Sequence, residues 1–586
     1  MTKRVIAVIA VAAIAGAVAA YALRPEDRVP SDAPSLEEMA ASVGAPVMAH
    51  LVRGHAPGRS GEVMLVPKPN HYMISTWELT TLAGDEPEIK TTHPNPWAYL
   101  TEVPIVVRGL DVPEGAEVAD PVDISAIAPT FARLLGMDDF ESISCSLEEV
   151  IACDAQAGVG KDSVEEPPRL IFTVVIDGGG WNLLERYPNA WPNIRRLMDE
   201  GITYTEATIG SSPSTTGALH ATFGTGFYPQ QHGIPGNVLR GDDGDIVDVY
   251  LDKETDTRYL QKPAVAEIWD ERNDNAAVVG TVSFENWHLG MIGHGAQRTG
   301  GDKDIAVLWD REEQKWFVNE DFYTLPTYLQ RTDIERLESY EDELDSRDGG
   351  EDGEWFGHEI APILKTKNER PSTPAFVTFT ADAVMDILTR EDVGADEITD
   401  MIWIEMKPPD SAGHAWNMLD PAVGDVLKET DEQIGRFMDE LDRTIGRDSY
   451  LFVVSADHGQ QPLPDDIGGW RINTTELELD IVTRFGDVVQ QATPADLYLD
   501  ADGLRAEGVT AEDIARWLGT YTLGENLPEG AAGIDLVSNT RLDDTLYAGA
   551  FTTDFLTDPD LDVAGFGPGE YGEFGDLPVT YAPPKS

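Results

Sequence analysis

The chain has 586 residues, of which 41% are hydrophobic and 25% are charged, as in a folded globular protein. It carries 105 acidic residues against 42 basic ones, for a net charge of -63. A surface this acidic repels nucleic acid, which excludes a function in binding duplex DNA or RNA. Because the acidic residues are spread along the whole chain, we interpret them as a solubilising surface rather than as one binding face.

Residues 1–23 have the pattern of an export signal. Lys3 and Arg4 precede an uncharged run from Val5 to Leu23 that is long enough to cross a bilayer, whereas Ala20-Tyr21-Ala22 resembles a cleavage site. A cleaved signal peptide and a retained membrane anchor both place the rest of the chain outside the cytoplasm. The polar, proline-containing residues 24–43 that follow are predicted to be a linker.

Residues 44–140 form a first predicted globular piece, with strand patterns in EVMLV and VPIVVRG and a helical pattern in DISAIAPTFARLLG. Residues 141–168 end in prolines and are predicted to be a connector. They contain both cysteines of the chain, Cys145 and Cys153. In an exported protein two cysteines this close favour a local disulfide, and without a matching histidine pair they make a poor zinc site.

From residue 169 onward, apolar runs alternate with amphipathic segments. LIFTVVI leads directly into Asp177, MIWIEM leads into KPPDSAGH, and YLFVVS leads into ADHG. This pattern predicts an α/β fold, a three-layer α/β/α sandwich with a mainly parallel central sheet. We assign residues 169–257 and 401–586 to the catalytic core, and residues 258–400, richer in aromatic and charged residues, to an inserted cap region.

Three predicted strands end in residues that bind metals. Asp410 and His414 lie four residues apart, so both can reach one ion from a single turn, and Asp457 and His458 are adjacent at a strand end. An aspartate after a strand is more often a helix cap than a ligand. Together, however, these carboxylates and imidazoles indicate a site for Zn²⁺ or a related divalent ion, and a pair of such ions can clamp a phosphoryl group.

A cluster of hydroxyl groups precedes the helical pattern GALHATFGTG. A hydroxyl at a helix N-terminus beside a metal ionises more easily, and the free backbone N–H groups there favour anions. Composition does not choose among the five hydroxyls, and all of them also fit an N-cap cluster. The five candidates are Ser211, Ser212, Ser214, Thr215 and Thr216.

The segments VVIDGGG, SSPSTTGALHATFGTGFYPQQHGIPGN, PDSAGH and SADHG resemble the alkaline phosphatase superfamily, in particular its branch of type I phosphodiesterases and nucleotide pyrophosphatases. The resemblance implies that Thr216 is the nucleophile and that Asn237 binds the substrate's phosphoryl oxygens. It also implies two divalent metal ions, for which the ligand types favour Zn²⁺ over Mn²⁺ or Ca²⁺. One ion would be held by Asp177, Thr216, Asp457 and His458, and the other by Asp410, His414 and one further histidine.

In the family that further histidine lies near the C-terminus, but this chain has no histidine after His458. Residues 59–140 resemble the family's C-terminal segment instead, so the chain resembles a circularly permuted member. Within that segment His93, in TTHPNPW, matches the missing ligand's motif, and His71, in PNHY, is the alternative. Termini of compact domains often lie close together, which makes such rewiring physically feasible.

A second departure concerns the substrate. At positions where phosphomonoesterase members of the superfamily place a lysine and an arginine, this chain has Phe284 and Asn286. Their absence favours a phosphate diester, whose phosphoryl group carries less charge. Asn286, together with the nearby His288 and His294, is expected either to face the site or to be structural.

The predicted function is therefore an exported phosphodiesterase or nucleotide pyrophosphatase that acts on a small phosphate ester through a phosphothreonine intermediate. The alternatives are a phosphomonoesterase, a phosphonate or lipid-headgroup hydrolase, and an exported binding protein without catalysis. The oligomeric state is left open.

Overall fold

The structure is a computed structural model that describes residues 28–74, 89–110, 112–147, 150, 166–251, 254–527 and 541–571. Residues 1–23 and Cys153 lie outside these ranges, so the signal segment, the membrane anchor and the Cys145–Cys153 disulfide stay predictions. Within the described ranges, no helix has both the length and the apolar character to cross a membrane. The chain divides into two compact units, and the larger one comprises the described residues within 49–59 and 89–467.

A nine-stranded sheet forms the centre of the larger unit. Five consecutive strands are parallel, from Ile305–Asp310 to Tyr450–Ala456, and the strands beyond them include antiparallel pairs. In spatial order the strands are Lys315–Phe317, Ile305–Asp310, Val279–Val282, Asp400–Met406, Leu170–Ile176, Tyr450–Ala456, Ile105–Gly109, Ile202–Tyr204 and Ala116–Val118.

Side chains of the central strands alternate between two apolar cores, one on each face of the sheet. Ile171 and Val175 belong to one core, whereas Leu170, Phe172 and Val174 belong to the other. Such burial on both faces confirms the predicted α/β/α layering. The first core is covered by the helices Ile127–Leu134, Thr216–Thr225 and Val265–Arg272, and the second by Trp181–Arg186, Pro192–Asp199, Ile334–Glu341, Ile360–Ile363, Pro374–Arg390, Pro408–Trp416 and Pro421–Thr444.

Short elements complete the larger unit. Its two-stranded pairs are Val238–Arg240 with Ile246–Asp248, Glu354–Trp355 with His358–Glu359, and Val122–Asp123 with Ala207–Thr208. Its short α-helices are Ala98–Thr101, Pro229–His232 and Pro464–Ile467. Its 3₁₀ helices are Ile124–Ala126, Asn286–Met291, Gly295–Gln297, Leu344–Ser346, Arg370–Ser372 and Arg447–Ser449. The helix Ala45–Gly54 contains the division between the units at residue 48.

The smaller unit comprises the described residues within 28–48, 60–74 and 468–571 and has its own antiparallel sheet. The strands of this sheet, in spatial order, are Val489–Ala492, Asp496–Leu499, Val63–Pro67 and Tyr547–Thr552. A separate parallel pair joins Tyr72–Ile74 to Arg471–Asn473. The helices are Leu36–Val43, Thr474–Phe485, Ala501–Glu507, Ala511–Leu518 and Thr553–Leu556, with the 3₁₀ helix Val563–Phe566.

The predicted boundaries differ from these units in three places. Residues 258–400 are not only a cap, because they contribute three short strands of the central sheet, which gave a weak sequence signal: Val279–Val282, Ile305–Asp310 and Lys315–Phe317. Residues 401–586 do not all continue the core, since 468–572 belong to the smaller unit. Part of the predicted linker 24–43 is the helix Leu36–Val43, which has a capping box and buries its apolar face.

The permuted interpretation requires upstream residues to complete the catalytic sheet. Strand Ile105–Gly109 meets this requirement, because it pairs antiparallel with Tyr450–Ala456. Residues 60–87 do not, since they belong to the smaller unit and their strand Val63–Pro67 lies in its sheet.

Candidate active site

Three neighbouring parallel strands bring the predicted ligands to one edge of the central sheet. Met406, Ile176 and Ala456 lie in register at the carboxyl ends of these strands. Asp177 and Asp457 follow two of the strands at once, and Asp410 lies in the helix Pro408–Trp416 that follows the third. Ligands bind at this edge in open α/β sheets, because the loops there are free of sheet hydrogen bonds.

Asp177, Asp457 and His458 form the first part of the site, and all three are fully buried. The His458 Nε2 atom lies 3.3 Å from Asp177 Oδ1 and 3.3 Å from Asp457 Oδ2. The backbone N–H of Gly178 donates to Asp457 Oδ1 at 3.1 Å, which fixes the direction of that carboxylate. One nitrogen and two oxygens therefore converge on a single point.

Asp410, His414 and His93 form the second part. The helix spacing of Asp410 and His414 places His414 Nε2 3.1 Å from Asp410 Oδ2, as their four-residue separation predicts. His93 Nε2 lies 3.7 Å from Asp410 Oδ1, and the His93 ring stacks on His458 with 3.5 Å between the ring centres. The structure thus brings His93 to the other predicted ligands, although it lies far upstream in the chain.

The three histidines share one orientation. His93 Nδ1 lies 2.6 Å from the Ser214 carbonyl oxygen and His458 Nδ1 lies 2.9 Å from that of Gly459, while His414 Nδ1 contacts the Thr91 carbonyl oxygen. A carbonyl accepts only, so each Nδ1 carries a proton and each Nε2 faces the carboxylates. Backbone acceptors of this kind orient metal-binding histidines.

The helix Thr216–Thr225 carries the predicted nucleophile and is buried along its whole length. It ends at Gly226, whose φ of 70° is left-handed and suits glycine. Ser214, just before the helix, accepts the His93 bond, and His220 Nδ1 lies 3.8 Å from Asp457 Oδ2. Thr216 lies between these two contacts, and its buried Oγ1 has no hydrogen-bond partner among the described residues.

Asn237, the predicted oxygen-binding residue, lies beside the same helix terminus. Its Oδ1 accepts the N–H of Gly217 at 2.9 Å. Because the carbonyl oxygen of the amide is occupied in this way, the Nδ2 group remains as the donor. The structure therefore places a hydrogen-bond donor next to Thr216.

Three further charged or titratable residues contact the site, and motif analysis missed the roles of two of them. Lys407 Nζ donates to Asp177 Oδ2 at 2.8 Å and to Asp410 Oδ2 at 2.7 Å. His288 Nε2 lies 3.7 Å from Asp177 Oδ2 and 3.4 Å from Glu405 Oε1. The sequence signal for Glu405 and Lys407 was their position at the end of the MIWIEM strand, just before the PPD motif.

Two glycines allow the segment with His288 to approach the nucleophile helix. A Cβ on Gly224 would lie 2.1 Å from the carbonyl oxygen of Gly290, and a Cβ on Gly290 would lie 2.6 Å from Ala221 Cα. Larger residues at either position would push the two backbones apart. The close approach places the rings of His220 and His288 4.5 Å apart.

Burial and neighbouring charges shift the ionisation of the site in opposite directions. Burial, helped by His458, lowers the pKa of His93 to about 3. Burial, helped by Asp177, raises the pKa of Asp457 to about 7. Burial opposes a charge on His458, but the carboxylates of Asp457 and Asp177 outweigh it and raise that pKa to about 9. A proton is therefore held among these side chains at neutral pH, in a place where a metal cation competes with it.

The donor set fits divalent metal ions. Buried polar atoms normally have hydrogen-bond partners, and a cluster of unsatisfied ones points to a missing ligand. Of the described residues, those at this sheet edge contribute eight buried atoms without a partner. These atoms are Asp177 Oδ1, Thr216 Oγ1, His220 Nε2, His288 Nε2, Glu405 Oε1, Asp410 Oδ1, Asp457 Oδ2 and His458 Nε2.

A comparison with protein families also indicates a site that acts on phosphate esters. The family described as type I phosphodiesterase / nucleotide pyrophosphatase matches residues 171–519, more than half of the chain. The chain belongs to this family. It is thereby a phosphoric ester hydrolase of the alkaline phosphatase superfamily.

Individual relatives of this phosphodiesterase-family chain are distant. It is 22% identical over 401 residues to a protein named calcium-transporting ATPase from Myroides odoratus, covering 60% of this chain and 72% of that protein. It is 24% identical over 354 residues to alkaline phosphatase PafA from Elizabethkingia meningoseptica. That match covers 53% of this chain and 63% of PafA, which is less than two thirds of PafA. A crystal structure of a PafA variant superposes with a TM-score of 0.50 at 16% identity, covering 66% of this chain and 85% of the other, which shows a shared fold.

Three other candidate residues of this family member, His294, His71 and Asn286, have contacts outside the ligand cluster. His294 pairs with Glu267 and the Leu260 carbonyl oxygen, so it is bound within its own neighbourhood. His71, the alternative to His93, lies in the smaller unit, with its Nδ1 2.9 Å from the Pro69 carbonyl oxygen. Asn286 Nδ2 lies 3.4 Å from Asp248 Oδ1.

Proposed function

We propose that the chain is an exported, metal-dependent phosphodiesterase or nucleotide pyrophosphatase that forms a phosphothreonine intermediate on Thr216. The main supporting observation is the buried, unpartnered Thr216 hydroxyl at a helix N-terminus. Contacts to His93 on one side and Asp457 on the other connect this terminus to both parts of the ligand cluster. Export rests on the apolar run from Val5 to Leu23.

Two divalent cations fit the two parts of the site. Asp177, Thr216, Asp457 and His458 would hold one, and Asp410, His414 and His93 would hold the other. Imidazole and carboxylate ligands together favour Zn²⁺. When bound, such ions supply positive charge that favours an ionised hydroxyl and stabilises the oxygens around phosphorus.

The side chains divide the reaction between them. Thr216 Oγ1 attacks phosphorus and the bond to the leaving oxygen breaks, which leaves a phosphothreonine and a released alcohol or nucleotide. Asn237 Nδ2 donates to a non-bridging phosphoryl oxygen, where negative charge develops. Water then attacks the phosphothreonine, which regenerates Thr216 and releases a phosphate monoester.

The surroundings of the site favour a diester over a monoester. Phe284, at one position where a cation is expected in monoesterases, is buried against Phe376 with ring centres 5.6 Å apart. In the described part of the chain, Lys407 is the one lysine or arginine that pairs with Asp177 or Asp410, and it pairs with both carboxylates. A phosphate monoester dianion needs more positive charge from the protein than a diester monoanion does. These side chains therefore suit the diester better.

The test compares kcat/KM for a monoester and a diester of the same chromogenic alcohol, p-nitrophenol, with the Zn²⁺-loaded enzyme. We expect the diester to be preferred by at least about 10-fold, which corresponds to roughly 1.4 kcal/mol. In Asn286→Arg, which adds one cation, the ratio is expected to move toward the monoester, while Asn286→Gln serves as the matched control. A wild-type preference for the monoester would contradict the diester assignment.

A phosphomonoesterase is the second candidate, because the relative PafA is named an alkaline phosphatase. The same assay decides between the two. A phosphonate or lipid-headgroup hydrolase would cleave neither p-nitrophenyl ester efficiently. An exported binding protein without catalysis would hydrolyse neither ester, and the converging set of ligands and nucleophile argues against it.

A further inference from the structure

A second group of carboxylates lies in the larger unit, on elements other than those that form the candidate active site. Asp270 belongs to the helix Val265–Arg272, while Asp302 and Asp304 precede the strand Ile305–Asp310. One oxygen from each of the three carboxylates lies within 4.8 Å of the others. Asp270 and Asp304 are buried, with 3% and 7% of their surface exposed, whereas Asp302 is exposed.

Asp304 has no partner of its own. Among the described residues, the charged groups that act on its carboxylate are Asp270, Asp302 and Glu267, although the residue is more than nine-tenths buried. Its carboxylate is directed toward Asp270 and Asp302, and Asp270 uses one oxygen to accept the N–H of Ala277 at 2.9 Å. A buried carboxylate without a donor is costly unless a cation or a proton neutralises it.

The neighbouring basic side chains are directed elsewhere. Lys303 donates to the carbonyl oxygen of Glu320 at 2.5 Å, and Arg298 binds Glu267 at 2.9 Å and Glu271 at 3.2 Å. The charged groups that act on Asp304 are therefore all acidic. No basic side chain of the described residues neutralises the group.

A proton is the rival to a cation. Burial, helped by Asp302, raises the pKa of Asp270 to about 7, and burial raises the pKa of Asp304 well above its usual range. In the absence of a cation, the group therefore keeps protons at neutral pH. Binding of a cation would have to release them.

We propose that Asp270, Asp302 and Asp304 bind one hard divalent cation of the Ca²⁺ class. The donors are carboxylate oxygens without imidazole or thiolate, which Ca²⁺ accepts in flexible geometry. Because Asp302 faces solvent, water can complete the coordination on that side. The ion would link the helix Val265–Arg272 to the start of the strand Ile305–Asp310, so its role is structural and independent of the proposed function.

The test uses the full chain, freed of metal ions on a chelating resin, loaded with Ca²⁺-free Zn²⁺ and then dialysed against about 1 mM ⁴⁵Ca²⁺. We expect the wild type to bind one more equivalent of Ca²⁺ than Asp304→Asn. We also expect Ca²⁺ to raise the Tm of the wild type by about 2 °C or more, and to have no such effect on the variant. Asp502→Asn removes the same charge from an exposed site in the smaller unit and should behave as the wild type.

A purely structural, protonated group gives a different result. In that case wild type and Asp304→Asn bind equal Ca²⁺ and show equal Ca²⁺-dependent shifts in Tm, which would overturn the proposal. Without Ca²⁺, our proposal expects Asp304→Asn to be at least as stable as the wild type, because the buried acid is gone. If Asp304→Asn does not fold, Asp302→Asn, at an exposed position, decides the question by the same two measurements.

Discussion

The strand Tyr450–Ala456 has a group of buried charges at each end, and the two groups differ in how their polar atoms are satisfied. At its start, Arg108 donates to Glu200 at 2.8 Å and to both oxygens of Asp442 at 3.0 and 2.8 Å. It also donates to Tyr450 Oη at 2.6 Å. At the other end, Asp457 and His458 follow the strand, and each has a buried atom without a partner.

The difference separates a structural group from a binding site. Around Arg108 the ion pairs are complete, and removing one partner would leave a buried charge uncompensated. Around Asp457 the polar atoms are oriented by backbone contacts but lack their final partners, which is the arrangement a ligand completes. Burial and charge alone do not distinguish the two ends, whereas hydrogen-bond satisfaction does.

Removal of metal should affect only the end of the strand that carries Asp457 and His458. We expect a strong chelator to abolish phosphate-ester hydrolysis, because the carboxylate and imidazole cluster then lacks its cations, and Zn²⁺ in excess to restore it. The measurement is the initial rate on p-nitrophenyl esters before and after dialysis. Full turnover in chelator would contradict metal dependence.

Loss of the nucleophile should leave both ends of the strand folded. We expect Thr216→Ala to lower kcat by at least about 10³-fold, because the proposed covalent intermediate forms on the hydroxyl that this change removes. Thr216→Ser keeps a hydroxyl and should retain more activity than Thr216→Ala. Single-turnover kinetics and the Tm are the measurements, and wild-type activity in Thr216→Ala would rule out the phosphothreonine route.

Arg108→Leu should affect stability rather than chemistry. We expect the free energy of unfolding to fall by about 1–3 kcal/mol, since the partly buried carboxylates of Asp442 and Glu200 lose the hydrogen bonds that Arg108 donates. The kcat/KM of the folded fraction should stay within about 3-fold of wild type, as Arg108 has no contact with substrate. Denaturant unfolding measures the first quantity and steady-state kinetics the second.

Arg443→Leu is the matched control for Arg108→Leu. Arg443 is exposed and pairs with Glu440 on the same helix that carries Asp442, so its loss should leave the free energy of unfolding almost unchanged. Equal losses for both variants would show that the completed hydrogen bonds of Arg108 contribute nothing beyond those of a surface pair.

Asp496 lies in the sheet of the smaller unit and is buried. Among the described residues, no lysine or arginine forms an ion pair with its carboxylate. Burial, and to a smaller degree Glu62, raises its pKa to about 7. The folded state then holds the proton more tightly than the unfolded one, so stability falls as pH rises from about 4 to 7, by on the order of 2 kcal/mol. Asp496→Asn should flatten that decline in unfolding measurements made across this pH range, and an unchanged slope would contradict the assignment.

The structure brings the predicted ligands together, whereas it departs from the predicted boundaries of the fold. Asp177, Asp410 and Asp457 could be placed together because each follows a long apolar run, and parallel strands end at one edge. His93 could be placed only through its resemblance to a family motif, since nothing local connects it to the others. Its contacts in the structure are those expected of a ligand.

The remainder could not be predicted because it depends on long-range packing. The buried ion pairs of Arg108 join residues that are far apart in the chain, and the strand Val279–Val282 is too short for a clear period. The position of Lys407 between Asp177 and Asp410 also depends on the meeting of two strand ends. None of these features leaves a pattern within a single window of sequence.

The pairing of Ile105–Gly109 with Tyr450–Ala456 also has a consequence for how the enzyme is made. During synthesis His93 and the strand Ile105–Gly109 leave the ribosome early. The strand Tyr450–Ala456, with which Ile105–Gly109 pairs, is translated much later. Contacts so distant in sequence form slowly. A truncated chain that stops before residue 450 therefore lacks both the partner strand and His458, so no nascent fragment of that length holds a complete set of metal ligands.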